Sequence, residues 1–416
     1  MQPVLFPDDT SFWFETLRVL GATPYGGADI GEVLTTAQAI TAGDYDGWYD
    51  QWLDTADRIA GEAEKAYAAR YLVSARDGLL RASNYYRSAD FYLHGNPDDP
   101  RIAHSYTRAR DCFRAAAALF DPPVEPVEIP YEDTVLHGYF YPAVRRDGDT
   151  GPSPTIIMHS GFDGTCEEMH FMGAAAGQER GYNVVTFDGP GQPAALHFSR
   201  LVFRTDWEHV VTPVLDWVLD RPGVDPDKIA LFGASMGGLL APRAAAYEHR
   251  LAACIAFDGV YDMGLTVTRS MPGSRAEVEA VLRAESAPEV DAMIDQLMAS
   301  DPNIRWAATH GQYVMGVDSP RAFFASYLDY TLAGGIAEQI TCPTLVCEAA
   351  SDIFFDGQPQ LLFDHLTCPK AMLRFTEAEG AGAHCQAGAG RLAFARIYDW
   401  LDGTVSAADR REGISA

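Results

Sequence analysis

Basic side chains are scarce in this chain. Its 416 residues hold 31 Lys and Arg against 58 Asp and Glu, a formal charge of −27. A surface of that sign repels phosphate backbones and anionic headgroups, which excludes nucleic acid and anionic membrane as main partners. Cysteine is also sparse: the seven, at 112, 166, 254, 342, 347, 368 and 385, are odd in number, scattered and never spaced Cys-x-x-Cys. Neither a disulfide framework nor a zinc site is indicated, so no metal and no cofactor is expected. Long hydrophobic runs are missing too, which argues against a membrane span. The opening "MQPVLFPDDTSFWFE" lacks the basic and continuously apolar regions of a secretion signal, and a cytoplasmic location is expected. The remaining expected partner is a small-molecule substrate, with a homodimer of this chain left open.

What is present divides into two patterns. From about 44 to 120 the chain reads as helix, with Trp48, Trp52, Ala56, Ile59, Ala63 and Tyr67 recurring at spacings of three and four. A second helix is expected over 70–93 and a third through "ARDCFRAAAALF". The stretch "DPPVEPVEIP" then places prolines at 122, 123, 126 and 130, where no helix continues. After a hairpin in "VEIPYEDTVLHGYFYP", apolar strands alternate with helices: "TIIMH", "NVVTF", "IALFG", "AACIAF", "TLVCE" and "MLRF". Apolar runs without alternation are buried on both faces, so the expected fold class is α/β, a mostly parallel doubly wound sheet covered by helices. The interval 262–335 breaks this rhythm and reads as an inserted helical cap. The expected division is a helical, cap-forming segment at 1–122, core at 123–261, cap at 262–335, core at 336–405, and a flexible tail at 406–416.

Chemistry is concentrated in "LFGASMGGLL", residues 231–240, where a buried strand breaks on glycines before a helix. A tight strand-to-helix turn pushes the side chain at its apex outward, which makes Ser235 a candidate nucleophile. A serine hydroxyl needs a histidine to take its proton and an acid to hold that histidine. Asp352, in "TLVCEAASDIFF", and His384, in "EGAGAHCQAG", follow later strands in the order Ser, Asp, His. Glu348 and Asp356 stay open as substitutes for the acid. An oxyanion hole is expected from the amide of Met236 and from that of Phe162, in the loop "HSGFDGT".

With these residues the chain resembles the α/β-hydrolases, through "GASMGG" and the closing "AHCQ". More narrowly, "RASNYYRSADFYL", "GFDGTCEE", "FDGPGQ" and "LAACIAFDGVYD" resemble the branch containing 2,6-dihydroxypseudooxynicotine hydrolase and the fungal polyketide-shortening pigment hydrolases. That resemblance implies an α/β-hydrolase fold with an N-terminal helical segment. It also implies cleavage of a carbon–carbon or acyl bond next to a carbonyl in a small aromatic or polyketide-like substrate. Carbon–carbon cleavage needs an acid to protonate its leaving group, for which Asp258 and Asp262 are candidates. Tyr85, Tyr86, His310 and Tyr313, each with an apolar body and a polar tip, are expected to bind substrate from two helical segments that roof the pocket. The rival readings are an esterase, acyl-peptidase or acyl-transferring cyclase of the same fold, and a binding protein that has lost turnover.

Overall fold

Eight strands, β1 (Glu125–Tyr131), β2 (Thr134–Tyr141), β3 (Ser153–His159), β4 (Asn183–Phe187), β5 (Val224–Ala234), β6 (Ala253–Phe257), β7 (Thr344–Ala349) and β8 (Lys370–Phe375), form one sheet. The order is β1-β2-β4-β3-β5-β6-β7-β8. The first two strands join antiparallel and every pair from β4 to β8 is parallel. This is the α/β-hydrolase arrangement expected from the sequence. The central strands β4 and β6 are buried at every residue, the condition that removes hydrophobic alternation from a strand.

This computed structural model describes residues 2–145, 151–269 and 271–412. They fall into two units, Met1–Pro123 with Met263–Asp329, and Val124–Asp262 with Tyr330–Ala416. The second unit is the sheet with its helices. Its chain returns at Tyr330 because Asp262 bridges Thr331 and the amide of Leu332 donates to Tyr261 O. The helix Gly390–Glu412 takes in most of the expected tail, and residues 413–416 lie outside the described residues.

The first unit is helical. Tyr45–Ala68 and Leu72–Ala89 pack so closely that a Cβ on Gly78 would lie 2.8 Å from Ala63 Cβ. Asp44 and Asp99 start their helices by accepting from Gly47 N and Arg101 N, and Pro100 fills a first-turn position that lacks an intrahelical donor anyway. Trp48 is fully buried, edge-on to Phe12 and Tyr92 at 4.9 and 5.1 Å. The inserted helix Pro302–Met315 belongs to this same unit, because Trp306 stacks on Phe91 at 4.8 Å and His310 on Trp306 at 5.3 Å. Two helical segments that are far apart in sequence thus share one aromatic core.

Candidate active site

Strand β5 ends at Ala234 and the helix Gly237–Ala245 begins three residues later. Ser235 sits at the apex with φ +60°, in the left-handed region that side chains other than glycine seldom adopt. Gly233 makes the turn feasible, since a Cβ there would lie 2.0 Å from Gly237 O. The turn leaves Ser235 half-buried, and its hydroxyl meets His384 Nε2 at 2.9 Å. On the other edge of the imidazole, Nδ1 lies 2.8 Å from Asp352 Oδ2. An ionised carboxylate only accepts, so Nδ1 carries the proton and Nε2 is left to accept from the serine hydroxyl.

Asp352 lies just past β7 and is fixed before the histidine reaches it: its Oδ1 accepts from the amides of Phe354 and Phe355 at 2.8 and 3.1 Å. The rings of both phenylalanines stand edge-on to His384, at 4.9 and 5.4 Å. Burial works against charge on Asp352, but the His384 imidazolium and the hydrogen bonds outweigh it and hold the carboxyl below its usual range. Burial likewise disfavours the His384 imidazolium, yet the Asp352 carboxylate prevails and raises it well above the ordinary histidine value. His159 makes a useful contrast. It is fully buried, its Nδ1 meets Ser160 O, and its Nε2 accepts from Trp207, so burial pushes it down to about 4 and it stays neutral.

The residues named from sequence are not all brought together. Met236 follows Ser235 directly, and the loop after β3 approaches its amide so closely that a Cβ on Gly161 would lie 2.6 Å from Met236 N. Phe162 is the next residue and its ring stacks on Phe203. Glu348, a substitute candidate for the acid, is paired with Arg374 at 2.6 Å. Asp262 donates its amide to Gln358 Oε1 at 3.0 Å. Within the helical unit, the Tyr85 hydroxyl donates to Glu32 and accepts from Asp29 N, and the Tyr86 hydroxyl donates to Asp57. His310 Nδ1 meets His94 Nδ1 at 2.7 Å, and Tyr313 packs against the His94 ring. The polar tips of Tyr85, Tyr86 and His310 thus have hydrogen-bond partners in their own unit.

Asp258, named from sequence as a candidate acid for the leaving group, has a side chain with no exposure. Its Oδ2 lies 3.5 Å from His384 Nδ1, on the edge of the ring away from Ser235. Burial, and then the Asp352 charge, push its carboxyl up to about 7.

Sequence reasoning passed over two glutamines. Gln192, in "FDGPGQ", accepts from Gly189 N at 2.7 Å and donates to Ser160 O at 2.7 Å and Gly161 O at 3.2 Å, tying the turn after β4 to the loop after β3. Gln386 donates to Asp258 Oδ1. A buried polar side chain two residues after His384 was the available signal, but its partner is distant in sequence. Among the described residues, two groups hold donor atoms close enough together for a metal, Asp258 with His384 and Cys385, and Cys166 with Glu167 and Asp188. In the first group, Asp258 already accepts from Cys385 N and His384 Nδ1 faces Asp352.

The family model described as "Esterase FrsA-like" matches residues 28–299. The 20-hydroxy-prefusarin hydrolase FUS2 of Gibberella moniliformis is 37% identical, over 94% of this chain and 96% of its own. Hydrolase LUC6 of a Fusarium species is 36% identical, over 96% and 97%. The solved structure of 2,6-dihydroxy-pseudo-oxynicotine hydrolase superposes with a TM-score of 0.70 at 23% identity, covering 93% of this chain and 96% of that one, a likeness of fold. With its sheet order, its strand-end constellation and these relatives, the chain belongs to the FrsA-like esterase family and is an enzyme of the α/β-hydrolase type.

Proposed function

We propose that the chain is a cofactor-independent serine hydrolase that cleaves a carbon–carbon or acyl bond beside a carbonyl, in a small aromatic or polyketide-like substrate, through an acyl-enzyme. The observation that carries this reading is the unbroken line from Ser235 Oγ through His384 to Asp352, at 2.9 and 2.8 Å. Ser235 Oγ attacks the carbonyl carbon as His384 Nε2 takes its proton, and Asp352 stabilises the imidazolium. The amides of Met236 and Phe162 receive the developing oxyanion, in a loop whose course Gln192 holds. The imidazolium then protonates the departing carbanion or alkoxide, and water releases the acyl group by the reverse path.

Hydrolysis is supported by the relatives, one of them named for 20-hydroxy-prefusarin. A carboxylesterase is the second reading, favoured by the description of the matching family. The test is intact-mass analysis after mixing the protein with a panel of aryl ketones and aryl esters, alongside a serine-directed fluorophosphonate. An acyl adduct on Ser235 from a ketone supports carbon–carbon cleavage, and one from esters alone supports the second reading. A parent chain that forms no adduct and ignores the fluorophosphonate would overturn both.

A further inference from the structure

The end of strand β6 does more than support the sheet. The amide of Ser235 donates to Phe257 O, and the next residue, Asp258, receives the turn that carries His384. That turn is demanding. Cys385 and Gln386 both have φ +48°, two successive side-chain-bearing residues in the left-handed region. Asp258 engages both of them: Oδ2 accepts from Cys385 N at 2.7 Å and Oδ1 from Gln386 Nε2 at 2.7 Å. The same Oδ2 lies 3.5 Å from His384 Nδ1, against 2.8 Å for Asp352 Oδ2. The imidazole thus has two buried carboxylates on its Nδ1 edge, contributed by the ends of different strands.

We propose that Asp258 is a positioning residue that acts through His384, clamping the Cys385–Gln386 turn and serving as a reserve carboxylate at Nδ1 beside Asp352. The proposal rests on Ser235 and His384 acting as nucleophile and base. Its physical content is a charge effect as well as a clamp. Above about pH 7, where its carboxyl is ionised, Asp258 at 3.5 Å favours the imidazolium that forms when Ser235 gives up its proton, and a purely structural acceptor would not. Among the described residues, the titratable groups that face Asp258 are Asp352, His384, Cys385 and Cys347, and of these His384 is the one that becomes a cation.

The test reads the rate at which a fluorophosphonate labels Ser235 as a function of pH, in the full-length protein. Labelling needs neutral His384, and removing a neighbouring negative charge makes neutral His384 easier to reach. Asp258→Asn is therefore expected to move the acid limb about one unit toward lower pH. In the parent background it should slow the plateau rate about tenfold, whereas on top of Asp352→Ala it should slow it about a hundredfold. A superimposable pH profile together with equal losses in the two backgrounds would overturn the proposal. Because Asp258→Asn sets an amide against Cys385 N–H and can unfold the turn, Asp352→Ala alone provides a second reading with Asp258 intact. With Asp258 in reserve its acid limb stays at or above the ordinary histidine value of about 6.5, and a limb well below that overturns the proposal. A parent chain that is not labelled removes the proposed function and this inference together. A labelled parent with failed Asp258 arms removes only this inference.

Discussion

The sheet unit and the helical unit use polar groups in opposite ways. In the sheet unit, Ser235, Asp352 and His384 come from the ends of three strands and point at one another, although 149 residues separate the serine from the histidine. In the helical unit, the polar tips of Tyr85 and Tyr86 bond to Glu32 and Asp57 of neighbouring helices. A parallel sheet gathers its loops at the carboxyl ends of its strands, so distant residues meet wherever the strand order brings them. A helix bundle has no such edge, and a buried hydroxyl there finds the partner its burial demands. Buried polar groups therefore form one hydrogen-bonded line between strand ends in one unit and tie neighbouring helices together in the other.

That contrast is broken most directly at Ser235. Ser235→Ala is expected to cost on the order of a millionfold in turnover with the melting temperature unchanged, and ordinary turnover in the folded variant would place the chemistry elsewhere. Next, Asp352→Asn should lose about ten-thousandfold, less than His384→Ala, because the acid orients the imidazole and does not itself carry the proton. Full activity in Asp352→Asn would pass the acid role to Asp258, the second carboxylate on the Nδ1 edge, ahead of Glu348 or Asp356.

The complementary perturbation targets the helical unit. Trp48→Ala empties a site with no exposure, and its Nε1 no longer donates to Ser88 O. Calorimetry should register a loss of about 3–5 kcal/mol while fluorophosphonate still labels Ser235 in the cold. Loss of labelling in a variant that stays folded at low temperature would show that the sheet unit depends on that core for its chemistry.

Two smaller effects sharpen the reading of the sheet unit. His384 is held above its ordinary value of 6.5, so the acid limb of kcat/KM should lie above that pH, with activity falling as the pH drops and the imidazole takes up its proton. A limb below 6.5 would indicate that burial, not the Asp352 charge, governs the base. The smallest expected effect is that of EDTA, which should leave turnover unchanged. Loss on chelation and recovery with zinc would turn attention to the Asp258, His384 and Cys385 group.

Sequence by itself determined the elements whose signals are local. Apolar runs marked β3 to β8, three- and four-residue spacing marked the helix Tyr45–Ala68, and a glycine-framed turn marked Ser235. The order Ser, Asp, His along the chain was legible for the same reason, since each residue follows its own strand. Tertiary structure alone decided what each polar group faces. Asp258 stands one residue past β6 in a position that sequence suits equally to substrate or to His384, and only the fold of the 384–386 turn sets it behind the imidazole. Gln192 and Gln386 acquired partners 32 and 128 residues away, and the helices at 302–315 joined those before residue 118 through a stack of Phe91 on Trp306. Hydrophobic periodicity is set within a few residues of the chain, whereas a hydrogen-bond partner is chosen by which strand ends and rings become neighbours, and that is a property of the packed sheet and bundle.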